Sequence, residues 1–224
     1  SVDVCGKGRV GCNTTTGLPW YSCDGHENKK QVDQGGLPQL GGMGTSVQAL
    51  AAGFYWTRNQ TYAARAVELI NTFFLDPRTK MNPNFRFGQS LGMPCEPPAC
   101  PAPGVPDGSG SGLVEIDQYL IEVLEAINLI SRPIPCHNKG FAAIGTKCGP
   151  SISWTPELDA SMVEWLTQWS AWMKSTPFST WACNFYNNHN AACRSSWFAV
   201  AAWIGDSDLA RKLLLGAKEV QWTN

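Results

Sequence analysis

The sequence is poor in several things, and each shortage excludes a class of protein. No apolar run reaches the roughly 18–20 residues that a membrane-spanning helix needs. Net charge is close to balanced, −1 from 17 Lys+Arg against 18 Asp+Glu, so the chain has no global basic field for nucleic acid or for an anionic membrane. There are only 3 histidines (His26, His137 and His189), far apart and without metal-ligand spacing, so no metal site and no cofactor is expected. There is no G-x-S-x-G, no phosphate-binding glycine loop and no dinucleotide fingerprint. Strand-like alternation is missing as well. The first residues, Ser1-Val2-Asp3-Val4-Cys5, do not read as a secretory leader.

Acidic residues are absent from four long intervals: between Asp33 and Glu68, Asp76 and Glu96, Glu125 and Glu157, and Glu164 and Asp206. Those gaps hold Arg78, Lys80, Arg86, Arg132, His137, Lys139, Lys147, Lys174, His189 and Arg194. Acid-free, mildly basic loops in a near-neutral protein suit a locally bound anion. Clustering of acids on exposed helix faces would give the same pattern. The gaps argue against a two-carboxylate glycosidase, with Asp107, Glu115 and Asp117 as exceptions to keep in view.

What is present is a chain of 224 residues, 43% hydrophobic, with 9 cysteines and 10 tryptophans. That length and composition support a folded core rather than disorder. Most cysteines (Cys5, Cys12, Cys23, Cys95, Cys100, Cys136, Cys148) lie within two residues of Gly, Pro or Asn, and Cys183 and Cys193 flank a polar segment. Disulfides and an oxidising compartment follow. The sequons Asn13-Thr14-Thr15 and Asn59-Gln60-Thr61 agree, so a secreted glycoprotein without its leader is expected. Staples Cys95–Cys100 and Cys136–Cys148 would close two loops. An odd count leaves one cysteine free or paired outside the chain.

Apolar periodicity predicts about six helices. They start near residue 44 (Val47, Leu50, Phe54), at 60–74 (Ala63, Val67, Ile70, Phe74), 113–130, 156–173, 191–204 and 207–220. Thr155-Pro156 reads as an N-cap with proline in the first turn. Residues 1–43 read as an irregular Cys/Gly-rich segment, 75–112 as a long proline-rich loop and 44–224 as helix hairpins of a single domain. The fold class is all-α.

Candidate chemistry concentrates at Asn184-Phe185-Tyr186-Asn187-Asn188-His189-Asn190. Amides can hydrogen-bond a carboxylate, and an imidazole can act as a base near neutral pH. An Asn-rich turn capping the next helix is the plainer alternative. Trp165 and Trp169 lie on an apolar stripe and belong to the core, whereas Trp181, in the loop beside the Asn cluster, is the candidate for stacking on a sugar ring.

The stretch Phe74-Leu75-Asp76-Pro77-Arg78-Thr79-Lys80-Met81-Asn82-Pro83-Asn84-Phe85-Arg86-Phe87-Gly88-Gln89 resembles a signature of the alginate lyase-like superfamily, which includes the alginate lyases of polysaccharide lyase family 5 and related uronan lyases. Asp24-Gly25-His26-Glu27-Asn28, Ile116-Asp117, Asn187-Asn188-His189 and Gly205-Asp206 follow in family order, so the resemblance spans roughly residues 18–222. It implies an (α/α) toroid of antiparallel helix pairs, complete or incomplete, and β-elimination on a uronic-acid polysaccharide such as alginate or glucuronan. It further implies that Asn188 neutralises the uronate carboxylate and that His189 is a second neutraliser or the base. Gln89, Asn82 and Arg86 would line the substrate subsites, with Asn187, Tyr186 and Trp181 beside them. The alternative is a non-catalytic carbohydrate-binding protein on a lyase scaffold.

The chain departs from the family pattern where Ala191-Ala192-Cys193 follows the Asn-His pair instead of an aromatic residue. It departs again before Asp117, and in having no Tyr/Arg motif after the pair. Tyr186 is then a substitute acid, and a second polypeptide fragment of the same precursor is the expected partner of the ninth cysteine.

Overall fold

A computed structural model describes residues 36–85, 113–132, 153–176, 179, 183–184 and 188–221. Among these there are helices and no strands, which establishes the all-α class. In chain order they are α1 (Leu37–Thr57), α2 (Gln60–Ile70) with a π-turn (Asn71–Leu75), α3 (Leu113–Ser131), α4 (Pro156–Ser175), α5 (Asn188–Trp203) and α6 (Ser207–Gln221). No described helix is long and apolar enough to cross a membrane. The described residues sort into two compact units, one drawn from 42–83 and 119–168, the other from 1–41, 84–118 and 169–224.

In the first of these units the predicted stripes become the core. Val47, Phe54, Ala63, Ile70, Leu120, Val123, Ile127, Ile130 and Met162 are fully buried. Thr155 caps α4, its Oγ1 accepting from the Leu158 N–H at 3.3 Å, with Pro156 in the first turn where no N–H is required. Trp154 braces this start by donating from Nε1 to Asp159 Oδ1 at 3.0 Å.

Two boundaries differ from the sequence reading. The segment read as irregular up to residue 43 is already helical from Leu37. Gly41, Gly42 and Gly44 disfavour helix by about 1 kcal/mol each relative to alanine. Packing overrides that cost: Leu40 and Met43 are buried, and a side chain on Gly44 would stand 3.4 Å from the Tyr119 Cβ and 3.2 Å from Glu122 Oε2. Glycine is therefore what lets α3 approach α1 here. The second difference is α5, which begins at Asn188 rather than 191.

Glu122 lies against that glycine contact with Oε2 shielded from solvent and unpartnered among the described residues. Desolvation, then repulsion from Glu125, raises its pKa above the usual 4.5. A carboxyl whose pKa is raised on folding favours the folded state fully at pH below 4.5. That contribution is lost as pH rises through its folded value. Glu122→Gln is thus expected to raise the urea midpoint at pH 7 and to leave it unchanged at pH 3. Equal shifts at both pH values would contradict the assignment.

In the other unit, Trp169 and Met173 on α4 are fully buried, as is Val200 on α5. Phe85 packs its ring 5.5 Å from Trp169. Trp197 of α5 donates from Nε1 to Ser170 Oγ on α4 at 3.0 Å. α5 and α6 form a hairpin packed through Ala201, Ala210 and Leu213. Its turn needs Gly205, at φ 77°, a left-handed conformation that L side chains rarely adopt. Asp206 then caps α6, accepting from the Leu209 N–H at 3.1 Å, and pairs with Lys174 at 2.9 Å.

Candidate active site

Residues 188–190 of the polar cluster are tied, through Cys183 and Ser179, to the end of α4. Ser179 Oγ donates to the Met173 and Thr176 carbonyls, satisfying orphan acceptors at the end of α4. The Cys183 N–H then donates to Ser179 O at 2.8 Å. Cys183 is disulfide-bonded to Cys193, with Cα atoms 5.3 Å apart. Asn190, 2% exposed, donates its amide to Cys183 O at 2.5 Å. One side of α5 is therefore fastened to the preceding segment by a covalent bond and a buried hydrogen bond.

Two candidate residues immediately precede Asn190. Asn188 is exposed and His189 half-buried, with its Nδ1 shielded from solvent. They are consecutive in the first turn of a 16-residue helix that carries no acidic residue in that turn. The backbone N–H groups there have no intrahelical partner, and the helix dipole makes the end electropositive. An exposed amide, an imidazole and a helix N-terminus together favour a carboxylate ligand. Placing the pair in a helix rather than a loop corrects the sequence reading. The Asn-rich stretch does begin the helix, as the plainer alternative has it.

Residues 74–83 of the signature stretch, in the other unit, form a braced loop. After the π-turn, Asp76 accepts from the Arg78 backbone N–H at 3.0 Å and from its guanidinium at 3.1 and 2.8 Å. Those bonds hold the Asp76 carboxyl down to about 2. Thr79 Oγ1 donates to Thr72 O at 2.6 Å, and the Met81 N–H donates to Phe73 O at 2.8 Å. Trp165 on α4 reaches across 84 residues of sequence to donate from Nε1 to Met81 O at 3.1 Å. Its ring meets Phe74 edge-on at 4.8 Å. Asp76, Thr79 and Met81 thus have structural work, and they leave the neighbouring Asn82 exposed. Trp165→Phe keeps the ring packing but removes the bond to Met81. It is expected to lower stability by about 1–2 kcal/mol in urea denaturation.

Asn188, His189 and Asn82 are therefore placed; the first two are adjacent. Arg86, Gln89, Trp181, Tyr186 and Asn187 lie outside the described residues. So do His26, His137, the remaining seven cysteines and the Asn13 sequon. Among the described residues no three His, Cys, Asp or Glu side chains gather to hold a metal ion. Two supports escaped the sequence reading: Asn190 as a buried bracket rather than a ligand, and the Trp165 bond. A buried amide in an Asn-rich run carries no periodic signal.

The sequence model of a family described as alginate lyase matches residues 6–222. Among solved structures, the crystal structure of an alginate lyase from Bacteroides ovatus is 30% identical, with a TM-score of 0.67 over 89% of this chain. The chain spans 45% of that protein's length. No curated protein sequence matches it significantly.

Proposed function

Because this chain belongs to the alginate lyase family, we propose that it takes part in β-elimination on a uronic-acid polysaccharide. The observation that carries this reading is the Asn188–His189 pair on the acid-free first turn of α5. The proton beside a uronate carboxylate is weakly acidic while the carboxylate keeps its charge. Hydrogen bonds from the Asn188 amide and the helix end offset that charge and stabilise the enolate that forms, as an oxyanion hole does. A base, His189 in this reading, removes the proton. The electron pair forms a carbon–carbon double bond as the bond to the glycosidic oxygen breaks, and an acid returns a proton to that oxygen. Tyr186 is the candidate acid by sequence position. Asn82, Arg86, Gln89, Asn187 and Trp181 are proposed to contact the polysaccharide. In this reading the Asn188 amide and the helix end do the neutralising, and no cofactor is invoked.

The compartment proposed is extracellular. The Cys183–Cys193 disulfide supports it, because such bonds persist in oxidising surroundings.

The test is incubation with alginate, glucuronan and a neutral glucan while following the ultraviolet absorbance of the unsaturated uronate. Absorbance that rises with a uronan alone supports the lyase. Uronan binding without new absorbance selects a carbohydrate-binding protein on a lyase scaffold. Neither binding nor absorbance overturns both.

A further inference from the structure

The turn between α1 and α2 carries chemistry that the proposed lyase site does not use. The Arg58 N–H closes α1 by donating to Phe54 O at 2.8 Å, with Arg58 itself at φ 58°. Thr57 Oγ1 donates to Gly53 O at 2.6 Å and accepts from the Asn59 N–H at 3.2 Å. Asn59 is exposed and caps α2: its Oδ1 accepts from the Thr61 N–H at 3.0 Å. The cap employs the amide oxygen, so Nδ2 is the atom it does not use. Asn59-Gln60-Thr61 is also an N-glycosylation sequon.

Two large aromatic side chains flank it. Trp56, three residues before Asn59, is 64% exposed, and Tyr62, three residues after, is 39% exposed. The Tyr62 ring lies close over Gly53, where an added Cβ would stand 3.3 Å from its carbons. Trp56 meets the Tyr55 ring edge-on at 5.2 Å. An exposed indole presents a flat apolar face, which suits the C–H face of a pyranose ring.

We propose that Asn59 carries an N-linked glycan whose first sugar packs on Trp56. The donor is a lipid-diphosphate-linked oligosaccharide. The Nδ2–C1 bond forms, the C1–oxygen bond to phosphate breaks, Nδ2 gives up a proton and the lipid diphosphate leaves. The amide keeps its carbonyl oxygen, so the helix cap survives the modification. A glycan here would cover an exposed tryptophan and brace the α1–α2 turn.

The inference rests on the extracellular reading, so the test supplies the compartment separately. The full chain is expressed behind a secretory leader in a eukaryotic host. An empty Asn59 then counts against this site, while secretion stands or falls by whether the natural precursor is exported. Enzymatic deglycosylation in heavy-oxygen water should leave labelled aspartate at position 59. Thr61→Ala should abolish the label while keeping the cap, whose donor is a backbone N–H. Comparing chains with and without Thr61→Ala, the glycan should raise Tm by about 2–4 °C beside Trp56 and by much less in a Trp56→Ala background. The cycle cancels any effect of Thr61→Ala on the helix itself. An unlabelled Asn59, or an equal gain in both backgrounds, overturns the proposal.

Discussion

His189→Ala is expected to lower kcat on the uronan that proves to be the substrate by roughly a hundred- to ten-thousand-fold, the range for losing a positioned general base. Asn188→Ala should cost roughly a hundred- to a thousand-fold, as loss of one donor to a developing oxyanion does. Both side chains act on the same carboxylate and the carbon beside it, so the double variant should lose less than the product of the two. The loss should fall on kcat rather than KM, because these bonds strengthen as charge moves onto the carboxylate. Asn188 is exposed and His189 only half-buried, so neither change empties the core. Thermal melts of both variants check this. Full activity in His189→Ala would overturn the assignment of His189 as the base.

The second large effect concerns the bracket under that pair. Replacing Cys183 and Cys193 together by alanine opens a loop of sequence separation 10. The entropy returned to the unfolded chain corresponds to about 3 kcal/mol of stability. For a chain of this size that is a fall in Tm of roughly 6–12 °C. A further consequence separates this bracket from a passive staple. Cys193 lies one helical turn beyond His189, so loosening it frees the first turn of α5. Activity should therefore fall at temperatures well below the lowered Tm, with Asn190 and its bond to Cys183 O retaining part of the geometry. A Tm unchanged under non-reducing conditions would show that the disulfide does not constrain the native chain.

Much of the architecture was legible because helices bury one stripe. Leu120, Val123, Ile127 and Ile130 recur at three and four, and all four are fully buried. Trp165 and Trp169 sit on such a stripe, and both are core residues rather than sugar platforms. Helix starts were less legible. Three glycines near Met43 argue against helix on propensity, and only the approach of Tyr119 and Glu122 to Gly44 shows why the helix tolerates them. The Asn-rich run before Ala191 reads as a turn on propensity. It is helical from Asn188 because Asn190 finds a buried acceptor and Cys193 a covalent partner on the preceding segment.

The candidate site divides the same way. Composition alone pointed to a local anion, through acid-free intervals that hold basic and amide side chains. Short-range spacing determined the helices, the Thr155 and Asn59 caps and the juxtaposition of Asn188 with His189, because each depends on residues within one turn. Tertiary structure alone decided which polar residues are ligand candidates and which are brackets. Asn188 and Asn190 are chemically identical and two positions apart, yet one is exposed and the other is buried against a carbonyl. Met81 likewise presents its carbonyl to Trp165, so its signature position anchors the loop while its neighbour Asn82 stays exposed. Burial and long-range partners set those roles, and they are properties of packing between segments that no local stretch of sequence contains.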